Sequence, residues 1–168
     1  MLENCASGGH RLEPRFMAAT SMASFSDAHE CLEIPIIAAN VHRAILPRQS
    51  QIWAVIREKD SAKRIAYSIT STFLGRLCLS GDVTRLSEAQ WRLIEAGMGF
   101  YREIAPVIKH GQSYRYGTRI GSIRHPEGWQ AVVRVEDGEK RHMWFFIPLM
   151  GTCRRKSPLS FQRAVRKR

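Results

Sequence analysis

The 168-residue chain lacks the features of a membrane-bound or secreted protein. No stretch reaches the roughly 18 consecutive apolar residues that a spanning helix requires. No basic segment followed by an apolar one comes after Met1, so there is no sign of a signal peptide. The four cysteines include no CxxC pair. We therefore expect a cytoplasmic protein with reduced thiols and no membrane partner.

Metal-binding spacing is also missing. The residues that could form a zinc set, Cys5, His10, His29 and Cys31, are irregularly spaced. Structural zinc sites use closely paired cysteines or histidines at regular intervals. We expect no metal site.

Acidic residues are absent from residues 151–168, which carry seven lysines and arginines. The net charge of +11 falls to +4 when this tail is removed, so residues 1–150 are only mildly basic. A basic tail can bind a phosphate backbone with strong salt dependence. A disordered end or a frameshift artefact is the favoured interpretation, which makes nucleic acid an unlikely partner.

Apolar periodicity and capping residues predict four helices and one buried strand before Gly111. The helices begin at Pro14, at Pro35, at Asp60 or Ser61, and after the Ser87–Gln90 capping box, and the strand covers residues 77–79. The first helix is expected to run through Ala23. Gly75 is the expected C′ residue of the third helix, and Pro106 is expected to kink or end the fourth.

The pattern changes to a period of two beyond Gly111. Residues 129–136 alternate between apolar and polar side chains, Asp137-Gly138 is typical of a hairpin turn, and residues 143–147 supply the return strand. One or two short strands are expected within residues 113–123. This order predicts an α/β fold: the C-terminal part of a (β/α)8 TIM barrel (1–111), the start of an antiparallel β domain (112–150) and a disordered tail (151–168).

A polar loop near the start of the chain is the clearest candidate for a binding site. Residues 2–11 combine Cys5, the Gly8-Gly9 pair and Arg11 in one turn-like segment, and Asp27 follows downstream. The glycines can adopt positive φ and let a ligand approach the backbone closely. Local residues alone favour Asp27 as a helix N-cap. Asp82, which follows the predicted strand, is better explained as a turn residue.

These residues resemble a known family. Residues 3–14 read ENCASGGHRLEP, which is similar to the ENCxSGGxRxDP segment of melibiase-type α-galactosidases of the retaining glycoside hydrolase clan D. Ser26-Asp27 matches the Ser-Asp pair that follows in that family. Residues 74–82, the helix at Trp91 and residues 125–130 are further similarities, so the resemblance covers about residues 2–149.

The resemblance implies hydrolysis of terminal α-galactosides with retention, by two carboxylates and without a cofactor. It assigns Asp27 as the acid/base, places Cys5, Gly8 and Gly9 around the galactose, and matches Arg11 to the arginine of the same motif. Phe25 stands where the family usually has Trp-Thr before Ser-Asp, so the sugar specificity is open.

The family's nucleophile lies in a KxDxN-like segment on an earlier strand, and this sequence contains no such segment. We therefore expect a truncated glycoside hydrolase that is inactive alone. The alternatives are a small basic nucleic-acid-binding protein and a non-catalytic partner of a separately encoded N-terminal barrel fragment.

Overall fold

A computed structural model describes residues 2–5, 7–136 and 142–148. The predicted Asp137-Gly138 turn and the tail at 151–168 lie outside the described residues. The elements, in chain order, are β1 (Glu3–Asn4), α1 (Pro14–Ala19), β2 (Met22–Ser24), α2 (Glu33–Val41), β3 (Ser50–Val55), α3 (Ala62–Ser71), β4 (Arg76–Ser80), α4 (Glu88–His110), β5 (Gln112–Gly117), β6 (Trp129–Val135) and β7 (His142–Pro148). Short 3₁₀ helices precede β3 (Pro47–Gln49) and β4 (Thr72–Leu74).

The first four strands form one parallel sheet and the last three form an antiparallel sheet. The parallel sheet has the order β1-β2-β3-β4, and the chain passes through a helix between each pair of neighbouring strands. Five residue pairs join β3 and β4, including Trp53 opposite Cys78. The predicted α/β class, with a parallel sheet followed by an antiparallel one, is confirmed. The barrel and the domain boundaries stay predictions.

Two helices begin at the caps that the sequence predicts. The Ser61 hydroxyl accepts a hydrogen bond from the Arg64 amide at 3.3 Å and starts α3. At α4, Ser87 and Gln90 form the reciprocal capping box. These bonds satisfy amides that have no carbonyl partner in the first turn.

Three strands of the parallel sheet, β1, β2 and β3, are absent from the sequence prediction, which treats residues 2–11 as a loop. The predicted helix from Pro14 through Ala23 is wrong beyond Ala19, because Thr20 is extended and residues 22–24 form β2. Pairing with strands on both sides outweighs helix propensity at Met22 and Ala23. β3 was also missed, although Ile52 and Ala54 are fully buried and alternate with half-buried Gln51 and Trp53. That period of two was the available signal.

Three further expectations are corrected. Gly75 is extended, with φ of −158°, and is not a left-handed C′ residue; a Cβ there would lie 2.5 Å from the Ser50 carbonyl oxygen. Helix α4 continues through Pro106 to His110, so Pro106 does not end it, and a kink there stays a prediction. Burial of Val107 and Ile108 holds this last turn in place despite the missing amide. β4 is half-buried rather than buried.

The apolar core consists of two clusters. The first packs α1 and α2 against β2 and β3, and the second packs α3 and α4 against the β3 end and Phe73. Each cluster also includes a residue of the antiparallel sheet, Val132 in the first and Met143 in the second. The two sheets are therefore joined by shared core packing.

Candidate functional site

The candidate site lies where the first two parallel strands end. β1 ends at Asn4 and β2 at Ser24, so the loops after them start from the same edge of the sheet. Ligands of parallel α/β sheets bind at the carboxyl ends of the strands. The topology thus brings the glycine loop and the Asp27 segment together.

The glycine pair is in direct contact with the segment that follows β2. Gly8 and Gly9 have φ of 68° and 98°. A Cβ at Gly8 would lie 2.8 Å from Oδ2 of Asp27, and a Cβ at Gly9 would lie 2.7 Å from the Phe25 carbonyl oxygen. Both positions therefore need glycine, for their backbone angles and for their close approach to the Asp27 segment.

Hydrogen bonds within the loop fix its shape. The Asn4 side-chain amide donates to the Arg11 carbonyl oxygen across the loop. The Arg11 guanidinium donates to the Ser7 hydroxyl at 2.6 Å. Asn4 is buried, whereas Cys5 is an exposed free thiol. The sequence prediction assigned no role to Asn4, although it belongs to the same motif.

The Asp27 side chain is exposed, and its carboxylate makes no hydrogen bond or ion pair with any described residue. The hydroxyl of Ser26 accepts the Ala28 amide at 3.1 Å, so Ser26 rather than Asp27 closes the local turn. Helix α2 begins at Glu33 with Leu32 as its N-cap residue. The alternative reading of Asp27 as a helix N-cap is therefore wrong.

The other contacts around the loop after β2 were not predicted from the sequence. The His29 ring lies 5.4 Å from the Trp53 ring of β3. Arg64 pairs with Glu30 at 3.2 Å and with Asp60 at 3.0 Å, and so ties the loop after β2 to the start of α3. Burial raises the pKa of the Cys31 thiol, which keeps that thiol protonated.

Asp82 has the turn role that the sequence predicts. Its Oδ1 accepts from the Thr84 amide at 3.1 Å and from the Thr84 hydroxyl at 2.6 Å. Hydrogen bonds from that hydroxyl and then from that amide hold the pKa of Asp82 below its usual range. Asp82 therefore offers a matched comparison with Asp27: each is an exposed aspartate shortly after a parallel strand.

Among the described residues, no group of three or more His, Cys, Asp or Glu side chains could hold a metal ion. None of the described helices is long and apolar enough to cross a membrane.

Comparison with known proteins gives a likeness of fold. No family model matches the chain, and no curated protein is significantly similar to it in sequence. Among solved structures, the fold is similar to a galactosidase domain. That structure is the galactosidase domain of alpha-galactosidase-sucrose kinase, AgaSK, with a TM-score of 0.63 and 13% sequence identity. The match covers 82% of this chain and 19% of that one, so the chain spans about a fifth of its length.

Proposed function

We propose that this chain carries the acid/base part of a glycoside hydrolase active site of the α-galactosidase type. One observation carries the proposal: the Gly8-Gly9 loop after β1 is in contact with Asp27 after β2. The same two motifs give the sequence its resemblance to α-galactosidases. The likeness of fold to a galactosidase domain supports this reading.

Asp27 is the proposed acid/base. In a retaining glycosidase, such a carboxyl group protonates the leaving oxygen and then takes a proton from the attacking water. Asp27 is exposed and uses its carboxylate in no bond with the described residues. It is therefore available to both a sugar oxygen and a water molecule, which Asp82, bonded to Thr84, is not.

The loop residues form the proposed wall of the sugar site. Gly8 and Gly9 leave room beside Asp27, because any side chain would occupy that space. Arg11 contributes through Ser7, which it holds in the loop. Cys5 is exposed next to the buried Asn4, and it is the last of the residues proposed to form this wall.

We further propose that the four parallel strands belong to a (β/α)8 barrel whose other strands supply the nucleophile. Retaining hydrolysis requires a second carboxylate about 5 Å from the first. The nucleophile segment of the resembled family does not occur in these residues. We expect this chain to bind an α-galactoside weakly and to turn it over only with the complementary barrel strands, as a partner fragment.

Binding of a galactose-configured iminosugar tests the site without requiring turnover. Its ammonium group should pair with the Asp27 carboxylate, so Asp27→Asn should weaken binding by about tenfold or more. Asp82→Asn is the matched control and should leave the affinity unchanged. Equal effects of the two variants, or binding of the gluco-configured iminosugar with the same affinity, would contradict the proposal.

Turnover gives the second measurement. The chain alone should not hydrolyse 4-nitrophenyl α-galactoside. Hydrolysis that disappears in Asp27→Asn would show that the nucleophile lies within these 168 residues. Hydrolysis that survives that substitution would overturn the role of Asp27.

A further inference from the structure

We propose that a second site, at the amino ends of strands β2–β4, binds a small phosphomonoester. A cavity of about 550 Å³ lies there, a size typical of small-molecule sites. We call it the amino-end cavity; Arg48, Arg76, Tyr101, Ile108 and Lys109 are among the residues that line it. It lies at the edge of the sheet opposite Asp27, so the proposal does not depend on the glycosidase reading.

The charge of the amino-end cavity selects an anion. Among the described residues, Arg48, Arg76 and Lys109 line it and no acidic residue does. Neither the Arg48 nor the Lys109 side chain makes a hydrogen bond or ion pair with any described residue. Arg76 donates to the Ser21 carbonyl oxygen at 3.3 Å, which leaves the other guanidinium donors available. Three cations around one cavity match the charge and the several acceptor oxygens of a phosphate group.

Tyr101 and Ile108 form an apolar part of the cavity wall, and the Tyr101 ring is held in place. The Tyr101 hydroxyl donates to the Gly75 carbonyl oxygen at 3.1 Å and accepts from the Leu77 amide at 3.2 Å. These two bonds hold the ring against the start of β4. Ile108 is buried in the wall beside it. An organic group attached to the phosphate could therefore pack on these side chains, which favours a phosphomonoester over inorganic phosphate.

The shape of the site favours a small molecule over a nucleic acid. A phosphate backbone is bound by cations spread along an extended surface, and its affinity falls steeply with salt. Here the three cations surround one cavity with an aromatic and an aliphatic wall. Binding of nucleic acid is the competing outcome of the test.

Calorimetric titration of the full chain with phenyl phosphate tests the proposal. The double substitution Arg48→Gln/Lys109→Gln removes two exposed cations of the cavity, and we expect about tenfold weaker binding or more. The control, Lys63→Gln/Arg92→Gln, removes the same charge from exposed positions on α3 and α4 that do not line the cavity. It should bind as the wild type does. Inorganic phosphate should bind more weakly than phenyl phosphate.

The outcomes separate the possibilities. Loss of phenyl phosphate binding in the cavity variant alone, with unchanged circular dichroism and thermal midpoint, supports the site. No binding by the wild type, or equal loss in the control variant, overturns it. Binding of a single-stranded DNA oligonucleotide that depends on the same residues, without binding of phenyl phosphate, also overturns it. Asp27→Asn should leave phenyl phosphate binding intact, so the result stands apart from the glycosidase proposal.

Discussion

Two interfaces hold this protein together, and they differ in chemistry. Where α3 and α4 pack on the parallel sheet, the contact is made by aliphatic and aromatic side chains such as Ile65, Ile69 and Ile94. The second interface lies where β6 packs on α2 and on the 3₁₀ helix before β4. There Val132 lies between Gln130 and Arg134, both fully buried. We call this second contact the polar junction, formed by Asn40, His42, Ser113, Gln130 and Arg134.

Arg134 is the centre of the polar junction. Its guanidinium donates to the Phe73 carbonyl oxygen at 3.0 Å, to the Leu74 carbonyl oxygen, and to the Ser113 hydroxyl at 2.9 Å. These carbonyls belong to the 3₁₀ helix before β4, so Arg134 caps that helix from the other sheet. Burial lowers the pKa of Arg134 to about 10, so it remains charged at neutral pH.

His42 completes the contact. Its Nδ1 lies 3.2 Å from the Arg134 guanidinium. A guanidinium only donates, so Nδ1 accepts and the ring proton lies on Nε2. Burial, and then the charge of Arg134, lower the pKa of His42 to about 3. The ring is therefore neutral across the physiological range.

This chemical difference predicts how each interface should respond to substitution. Apolar contacts are non-directional and tolerate a side chain of similar volume. A buried guanidinium that satisfies named carbonyl groups has no close substitute. Substitutions at the two interfaces test this contrast, and the greatest loss of stability is expected at Arg134.

Arg134→Met should lower the free energy of unfolding by about 4 kcal/mol, because two buried carbonyl oxygens lose their donor. Arg134→Lys should still lose more than half of that free energy, because an ammonium group cannot reproduce the planar, forked arrangement of guanidinium N–H donors. Urea denaturation measures both. Arg92→Met is the control: among the described residues this exposed arginine pairs with Glu88 alone, and the change should alter stability by less than about 0.5 kcal/mol. A small loss for Arg134→Met would mean that the polar junction does not hold the sheets together.

Ile65→Ala should cost about 3 kcal/mol, the usual price of a cavity at a fully buried position. Ile65→Val should cost only about 1 kcal/mol, because most of the packing is kept. The exposed Ile123 provides the control, and Ile123→Ala should be close to neutral. If Ile65→Val cost as much as Ile65→Ala, the apolar interface would be as exacting as the polar one.

Acid should destabilise the polar junction through His42. Its folded pKa of about 3 lies below the unfolded value of 6.5, so the unfolded state binds the proton more readily. Stability is then lost as pH falls below 6.5, by up to about 1.4 kcal/mol per pH unit until pH approaches the folded pKa. His42→Gln should show a shallower fall between pH 6.5 and 5 in thermal unfolding. Parallel curves for the two proteins would disprove this role for His42.

Ser87→Ala should cost about 1 kcal/mol by removing one half of the capping box of α4. Ser113→Ala removes a hydroxyl that accepts from Arg134, and it should cost more if the contrast holds. Chemical denaturation of both variants gives the order. If Ser87→Ala cost more than Ser113→Ala, the local cap of α4 would contribute more to stability than this hydrogen bond of the polar junction.

Local sequence patterns determined much of the fold. Ser61 and Ser87 start α3 and α4 because a side-chain hydroxyl satisfies a free amide nearby. β6 follows from its period of two, and β7 was expected as the return strand of the same hairpin. The Gly8-Gly9 loop and Asp27 were both singled out from the sequence as candidates for one binding site. All of these depend on residues close to one another in the chain.

Other features were decided only by tertiary structure. Met22 and Ala23 leave the helical pattern because strands on both sides offer backbone partners, and these come from residues 3–4 and 50–51. Arg134 sits in an alternating strand as any polar residue would, yet it is buried because its acceptors come from a helix 60 residues earlier. The amino-end cavity collects cations from three separate elements. A short stretch of sequence contains only one side of each such contact. The partner residue, and the stabilisation that the contact provides, can be identified only in the folded chain.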